Sequence, residues 1–438
     1  MPKPDEQELV KDLYKVLKIN DRKLWTIPAA NLYPHQWLWD SCFIAIGLRH
    51  LDVDRAKTEL TSLLRGQWSN GMLPHIILTL GSRDKEVERG YLNPYSPHDV
   101  ATSGLTQPPM LAEAVVQIGK KLRSAERRTW YAQMYPHLLS YHRWLYHDRD
   151  PHNEGLVLLL HPYESGLDNT PPWISEMRKH SMPWWVSAIE SLHLDGLVNL
   201  FRRDTKQVPP GQRMSNVEAA AYWAVLRRIR RKAYNSEAIL SRSLFSVEDL
   251  AFNCIFIRAN ECLEQIAKAI GKELPADLGQ RIKKSREALD QLWDDQHSEY
   301  FSRSFVSHKL IEEPSIATLL PLYSGAISKE RAQHLVNMLK KRRTFGASWP
   351  VPSVPLNSSY FDAHKYWQGP TWVNTNWLII EGLKRYGFNE EAAALRDRTV
   401  EMVAKSGPYE YFSPLDGSPA GAENFSWTAA LTIDLLKS

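Results

Sequence analysis

The 438-residue sequence lacks the features that mark several specialised classes of protein. Three cysteines, Cys42, Cys254 and Cys262, are too few for a disulfide framework, and each lies in an apolar run that predicts a buried thiol. No window of about 18 uninterrupted apolar residues offers a transmembrane helix, and the polar N-terminus has no signal-peptide core. We therefore expect a cytoplasmic globular protein without a membrane partner.

An excess of charge of one sign is also missing. Lys and Arg number 54 and Asp and Glu number 50, which gives a formal net charge of +4. This near balance gives no case for nucleic acid as a partner. No strand is followed by a glycine-rich turn and a helix, so a Rossmann or P-loop nucleotide site is not expected.

Tryptophan, by contrast, is abundant, with 16 Trp against 12 Phe. One interpretation is a large core that needs bulky side chains. The other is a carbohydrate site, because sugar C–H faces stack on flat rings while the indole N–H bonds a hydroxyl. Composition alone favours the core, so the positions of the tryptophans have to decide.

Apolar residues recur with helical spacing along most of the chain. The pattern predicts thirteen helices, over Leu9–Leu17, Gln36–Leu48, Ala56–Leu64, Met110–Leu122, Trp130–His147, Pro183–Leu200, Val217–Arg231, Ser246–Ile270, Leu278–Trp293, Glu330–Leu339, Pro370–Tyr386, Glu390–Val403 and Phe425–Leu436. The best strand candidate is Gly155–Leu160. The short link Gly387–Asn389 makes its two flanking helices antiparallel neighbours. We expect an all-α single domain, residues 1–438, with lid insertions near 65–106 and 202–245.

Two polar, aromatic-rich stretches contain carboxyl groups suited to chemistry. In WLWDS, Asp40 either caps a helix or accepts hydroxyl bonds from a sugar, with Trp37 or Trp39 as a stacking wall. In ESGLDNTPPW, Glu164 and Asp168 lie four residues apart in a loop broken by Gly and Pro. A general acid must keep its proton at neutral pH, which an apolar aromatic surround favours. The alternative for Asp168 is an Asx-turn.

Two further stretches complete the set of candidates. Residues 365–377 combine amide side chains with three tryptophans, which fits an uncharged polyol ligand. In YEYFSP, Glu410 lies between two tyrosines, and Glu423 in GAENFSW opens the last predicted helix. Either glutamate could serve as a base. No histidine has metal-ligand spacing, so neither a metal nor an organic cofactor is expected.

Taken together, WLWDS, ESGLDNTPPW, YWQGPTW, YEYFSP and GAENFSWTA resemble the bacterial mannosylglycerate and glucosylglycerate hydrolases, which belong with processing α-glucosidase I and, more distantly, the trehalases. The motifs fall in the same order from residue 33 to residue 429. The resemblance implies an (α/α)6 toroid with irregular lid loops over its open end. It implies an inverting hydrolase with Asp168 as general acid and Glu410 as general base. The substrate-binding residues that it implies are Tyr33, Trp37, Trp39, Asp40, Tyr91, Gln107, Glu164, Gly166, Arg213, Tyr366, Trp367, Gln368 and Trp372.

The stretch around Arg213 departs from the pattern of the glycerate-cleaving enzymes. Met214 stands where we expect proline, and Ala219 stands where we expect tyrosine, unless Tyr222 takes its place. Arg213 can still form a bidentate pair with a carboxylate. We expect glucosylglycerate or mannosylglycerate as substrate, released as free glucose or mannose, with a neutral α-glucoside as the alternative.

Two other functions stay open on sequence grounds. A sugar isomerase or epimerase on the same toroid would use paired histidines, for which His161 and His364 are candidates. A sugar-binding protein without activity is the other, and the altered stretch around Arg213 motivates it. The number of subunits stays open, and a homo-oligomer is compatible with the sequence.

Overall fold

The structure, a computed structural model, describes residues 5–79, 93–179, 183, 185–186, 202, 204–240 and 243–438. Helices dominate these ranges. The α-helices are α1 (Glu6–Asn20), α2 (Leu38–Leu48), α3 (Val53–Leu63), α4 (Leu111–Gly119), α5 (Ser124–Asp148), α6 (Pro171–Lys179), α7 (Asn216–Arg231), α8 (Ser236–Leu240), α9 (Leu250–Ala269), α10 (Ala276–Ala288), α11 (Pro321–Ser324), α12 (Lys329–Lys340), α13 (Val373–Arg385), α14 (Asn389–Ser406) and α15 (Ser426–Lys437).

The strands of the described ranges are short and all their pairings are antiparallel. They are β1 (Gln36–Trp37), β2 (Ile76–Ile77), β3 (Val247–Glu248), β4 (Trp293–Asp294), β5 (Glu299–Tyr300), β6 (Ser302–Ser304), β7 (Leu310–Ile311), β8 (Tyr411–Phe412) and β9 (Pro419–Ala420). β1 pairs with β2, β6 lies between β3 and β7, β4 pairs with β5, and β8 pairs with β9. They fix loops at the ends of helices instead of forming a layer of their own.

Six helices contact one another in a closed order: α2, α4, α9, α11, α13 and α15. Each packs against the next, and α15 packs against α2. A further helix lies against most of them: α3 against α2, α5 against α4, α10 against α9, α14 against α13 and α1 against α15. The core therefore lies between the six helices and the helices that surround them.

The sequence of α2 explains its central place. All eleven of its residues are buried, in the segment LWDSCFIAIGL, and a helix that is apolar all round has to be enclosed on every side. Gly47 allows close packing of α2 on α15, because a Cβ there would collide with the backbone of Ala430. The outer α14, by contrast, exposes charged residues along one face.

Four of the central helices run in the same direction. Basic residues at their C-terminal ends line one cavity: Arg49, Lys120, Lys384 and Lys437. The opposite end of the bundle therefore gathers their N-terminal ends. Asp40 lies in the first turn of α2, and Trp372 is the N-cap residue of α13. This end carries the predicted motifs.

Twelve of the thirteen predicted helices have an α-helix at their place, and Pro183–Leu200 lies mostly outside the described residues. The short link before Asn389 does join two helices that pack on each other. The predicted start at Ser246 is wrong, because β3 pairs with β6 and Asp249 then caps α9. The predicted start at Pro370 is also wrong, since Thr371 pairs with Phe412.

The predicted strand is also wrong. Gly155–Leu160 is not a strand, because only Leu159 pairs, in an isolated bridge with Val247. The described part of the segment near 202–245, which is expected to be a lid insertion, contains α7, in agreement with the predicted helix Val217–Arg231, and α8. Of the insertion near 65–106, residues 80–92 lie outside the described ranges.

Candidate active site

Six of the predicted site residues lie together at the N-terminal end of the central helices. They are Tyr33, Asp40, Asp168, Arg213, Tyr366 and Glu410. They come from five separate stretches of the chain, so only the folded bundle brings them together. Three carboxyl groups, one guanidinium and two phenols make up this cluster.

Glu410 lies at the start of the β8–β9 hairpin and is only 2 % exposed. Its Oε1 accepts a hydrogen bond of 2.7 Å from Tyr33 Oη. Its Oε2 accepts one of 2.9 Å from the Ala422 backbone N–H. Gly421 allows this approach, since it has φ +74° and an added Cβ would lie 2.6 Å from Glu410 Oε2. The carboxylate is therefore fixed by backbone and side chain alike.

Arg213 contacts Glu410, Tyr33 and Tyr366 within the cluster. Its Nη1 donates to Glu410 Oε1 at 3.2 Å and Oε2 at 3.3 Å, and its Nη2 donates to Tyr33 Oη at 2.7 Å. The guanidinium lies 4.1 Å from the centroid of the Tyr366 ring, a cation–π contact. Asp204 Oδ2 is 3.5 Å from its Nε. A buried cation thus lies beside the candidate base.

Asp168 lies on the other side of Tyr366, whose Oη donates to Asp168 Oδ2 at 3.0 Å. Burial raises the pKa of Asp168 to about 7, and the negative charge of Glu410 adds to the rise, while Tyr366 and Arg213 oppose it. The side chain stays partly open to the cleft. At neutral pH Asp168 can therefore hold a proton and present it to a ligand, as a general acid requires.

Asp40 is the third carboxyl group and is 4 % exposed. Burial raises its pKa well above the usual value, and the charges of Glu410 and Asp168 contribute to the rise. Its carboxyl receives a hydrogen bond from its own backbone N–H. This leaves oxygen lone pairs that a sugar hydroxyl can use.

The predicted tryptophans form a buried floor instead of an open stacking wall. Trp367 and Trp372 are stacked on each other, with ring centroids 3.8 Å apart and planes 3° apart. Trp39 packs edge-on against Trp427, and both rings are buried. Trp39, Trp367 and Trp372 therefore belong to the packed floor of the cleft, and their expected contact with substrate stays a prediction.

Gly166 belongs to the same floor. Its φ is +72°, and a Cβ there would lie 2.6 Å from the Trp39 ring. Gly166 thus allows the close packing of this loop on Trp39, and its expected contact with substrate stays a prediction. Trp37 differs, since it is only partly buried and its Nε1–H has no acceptor among the described residues. Trp37 is therefore the tryptophan best placed to bond a ligand.

Glu164 orders the loop that carries Asp168. Its Oε1 accepts from Arg149 at 2.7 Å and from the Thr106 N–H at 3.2 Å, and its Oε2 accepts from the Leu160 N–H at 2.8 Å. The carboxylate is fully buried. Its oxygens thus hold the Asp168 loop in place, and the expected contact of Glu164 with substrate stays a prediction.

Gln368 and Gln107 also act within the protein. Gln368 Nε2 donates to the Asn169 carbonyl at 2.7 Å and to Glu218 Oε1 at 2.9 Å. It therefore ties the Asp168 loop to α7. Gln107 Oε1 accepts from the Trp39 N–H at 3.4 Å, and the side chain is buried. Both residues order the walls of the cleft.

Two further candidates are not among the six residues of this cluster. Tyr91 lies outside the described residues. Glu423 is exposed to solvent, whereas Glu410 is buried in the cluster. Of the two candidate bases, Glu410 therefore shares the cluster with Asp168, and its role as the base stays a prediction.

Sequence reasoning missed the contacts that α7 makes. Tyr222 Oη donates to the backbone carbonyl of Asp168, and Glu218 binds Gln368. The S-x-x-E pattern of Ser215 and Glu218 signals the capping box that starts α7. No pattern in the sequence indicates that the second oxygen of Glu218 reaches Gln368.

Two features are absent from the described residues. None of the groups of three or more His, Cys, Asp or Glu in the described part of the chain could hold a metal ion. Nor does any helix there combine the length and hydrophobicity needed to span a bilayer.

Several known proteins are similar to this chain over nearly its whole length. A family model described as "Mannosylglycerate hydrolase MGH1-like glycoside hydrolase domain" matches residues 33–428. A mannosylglycerate hydrolase of Thermus thermophilus is 38% identical over 421 residues, 96% of this chain and 98% of the relative. A glucosylglycerate hydrolase of Mycolicibacterium hassiacum is 31% identical and covers 96% of each chain. The crystal structure of a GH63 mannosylglycerate hydrolase from Thermus thermophilus in complex with Tris and D-glycerate superposes with a TM-score of 0.87, at 36% identity, over 97% of this chain and 99% of that one.

Proposed function

Because the chain belongs to the mannosylglycerate hydrolase MGH1-like glycoside hydrolase family and is a glycoside hydrolase, we propose that it hydrolyses the glycosidic bond of an α-hexosyl glycerate. Mannosylglycerate is the first candidate and glucosylglycerate the second, since relatives of both names match nearly the whole chain. The products are free mannose or glucose and glycerate. The closed order of the six central helices supports an (α/α)6 toroid as the scaffold.

One observation carries the proposal. A buried arginine lies between a protonatable carboxyl group and a fixed carboxylate. An inverting glycosidase needs such an acid and base, about 6.5–9.5 Å apart, so that a water fits between base and sugar. Here Tyr366 and Arg213 separate Asp168 from Glu410, which supports the wider spacing. The guanidinium adds a group suited to the carboxylate of glycerate.

The roles follow from this arrangement. Asp168 donates its proton to the glycosidic oxygen as the bond to the anomeric carbon breaks. Glu410 accepts a proton from the water that attacks the opposite face of the sugar, so the anomeric configuration inverts. Asp40 accepts hydrogen bonds from sugar hydroxyls, and Trp37 donates one. Arg213 pairs with the substrate carboxylate.

The isomerase alternative finds no support at the two histidines that suggested it. Burial lowers the pKa of His161 to about 3, and its Nε2 faces the Tyr222 carbonyl. His364 faces the Ser418 hydroxyl. Neither contact brings the two imidazoles into the carboxyl cluster, so a histidine pair for proton transfer is not proposed.

The test is release of sugar from mannosylglycerate, glucosylglycerate, glucosylglycerol and trehalose by the wild-type chain and three variants. Asp168→Asn and Glu410→Gln should each lower kcat by about 10²–10⁴-fold, the usual contribution of a general acid or base. Glu423→Gln is the matched control and should keep wild-type kcat. Cleavage of neutral glycosides alone would contradict glycerate as the aglycone. Binding without release of sugar would identify a binding protein, and loss of activity in Glu423→Gln alone would reassign the base.

A further inference from the structure

Glu410 makes four hydrogen bonds in the structure. Oε1 accepts from Tyr33 Oη and Arg213 Nη1, and Oε2 accepts from the Ala422 N–H and Arg213 Nη1. A carboxylate has about four lone-pair sites. The four bonds therefore occupy the sites that a general base needs to accept a proton from water. One of the donors has to leave before Glu410 can act.

Two of the donors are fixed by the fold. The Ala422 N–H belongs to the β8–β9 hairpin, where the Glu410 N–H in turn donates to the Ala422 carbonyl at 2.8 Å. The Tyr33 ring packs edge-on against Trp37 and Phe425. Moving either donor would disturb the local backbone or the packed aromatic rings.

Arg213 is the donor that can move. Its side chain is long, and it follows the short 3-10 helix Pro210–Gln212 at the edge of the cleft. Its bonds to Glu410, at 3.2 and 3.3 Å, are the longest of the four. Its Nε–H has no acceptor within hydrogen-bond distance among the described residues. Asp204, which accepts two hydrogen bonds from Arg202, lies 3.5 Å from Nε and is a second carboxylate beside the guanidinium.

We propose that Arg213 is a latch on Glu410 that the carboxylate of the substrate opens. In the empty enzyme the guanidinium occupies the base. An incoming carboxylate offers the guanidinium a bidentate partner, so that Arg213 exchanges the carboxylate of Glu410 for that of the substrate. Glu410 is then free to accept a proton from water. This inference rests on the proposed function, with Glu410 as base and glycerate as aglycone.

The latch makes the substrate carboxylate matter for the rate of chemistry as well as for binding. A neutral glycoside offers Arg213 no alternative carboxylate. Arg213 therefore stays bonded to Glu410, and turnover is slow. Interactions that form only on the way to the transition state change kcat, whereas uniform binding changes KM alone. The selectivity for glycerates is therefore expected in kcat.

The experiment uses α-mannosyl fluoride, a neutral substrate whose small leaving group leaves the aglycone position vacant. Addition of free D-glycerate to the wild-type enzyme should raise kcat on the fluoride by about tenfold, which corresponds to about 1.4 kcal/mol of barrier. Arg213→Met removes the latch, so it should hydrolyse the fluoride about tenfold faster than wild type without glycerate and gain nothing from added glycerate. The same variant should lose kcat and raise KM on mannosylglycerate. Lys206→Ala, which removes an exposed positive charge from the same segment, is the matched control and should behave as wild type.

The outcomes separate the latch from the proposed function. If glycerate only inhibits the wild-type enzyme on the fluoride, or if Arg213→Met is no faster there and raises only KM on mannosylglycerate, the latch is wrong while hydrolysis stands. The wild-type arm decides the question even where the variant fails to fold. If the wild-type enzyme cleaves neither substrate, the proposed function and the latch fall together.

Discussion

Replacement of Asp168 by Asn should stabilise the protein at alkaline pH while it removes activity. Burial raises the pKa of Asp168 from 3.8 to about 7. The native state therefore binds this proton more tightly than the unfolded chain does. Stability falls as pH rises from about 4 to about 7, because the proton is lost from the unfolded chain first and from the native state last. Asparagine has no such dependence and keeps an oxygen that Tyr366 Oη can reach.

The size of the effect follows from the shift. About three pKa units at about 1.4 kcal/mol each give about 4 kcal/mol as an upper limit. The Asp168 side chain is partly open to the cleft, so solvent screening reduces the gain, and we expect about 2 kcal/mol above pH 8. An unfolding entropy of about 2.1 cal/mol/K per residue converts this into a rise in Tm of about 2 °C for a chain of 438 residues.

Differential scanning calorimetry of the wild-type chain and Asp168→Asn from pH 4 to pH 8.5 measures this directly. The two Tm curves should meet near pH 4, diverge as pH rises to about 7 and stay apart above it, with the variant higher. Asp416→Asn is a suitable control, since Asp416 is exposed and its pKa is lowered to about 2 by hydrogen bonds from Ser418, so its curve should lie at or below wild type at pH 8. A variant at Asp168 that is less stable than wild type at pH 8 would refute the reasoning.

Three further predictions concern the same cleft. The kcat/KM of the wild-type enzyme should fall as pH rises through about 7, where Asp168 loses its proton, and a profile flat to pH 9 would contradict its role. Gly421→Ala, which leaves the net charge unchanged, should lower kcat by at least about tenfold. The reason is that the alanine Cβ would lie 2.6 Å from Glu410 Oε2 and displace the carboxylate. Steady-state kinetics measures this effect. Arg149→Met should cost about 3–5 kcal/mol of stability, since it leaves Glu164 as an unpaired buried charge, and a Tm equal to wild type would argue against that ion pair.

The helices could be predicted from the sequence because their apolar spacing is determined locally. α2 is apolar at nearly every position and α7 begins with a capping box, so both signals lie within a few residues of each other. The failures occur where a distant segment competes. Val247 pairs with Ser304 as a strand, although the local pattern around Ser246 favours the start of a helix.

Part of the site could be predicted because its motifs, like the helix signals, are local in the sequence. Motif spacing points to Asp168 and Glu410, but spacing cannot show which faces of a side chain remain open. Trp367 and Trp372 look like a sugar platform in sequence, yet they stack on each other. The Ala422 N–H that fixes Glu410 is a backbone group and has no signature in the sequence.

The central claim, that Asp168 and Glu410 act as acid and base on opposite faces of an α-hexosyl glycerate, is tested most directly by the configuration of the first-formed sugar. Proton NMR of mannosylglycerate mixed with enzyme, recorded before mutarotation, distinguishes the two anomers of free mannose. The account predicts that β-mannose appears first and the α anomer only later. Initial release of α-mannose would indicate retention and a covalent intermediate, and would contradict the roles proposed for both carboxyl groups.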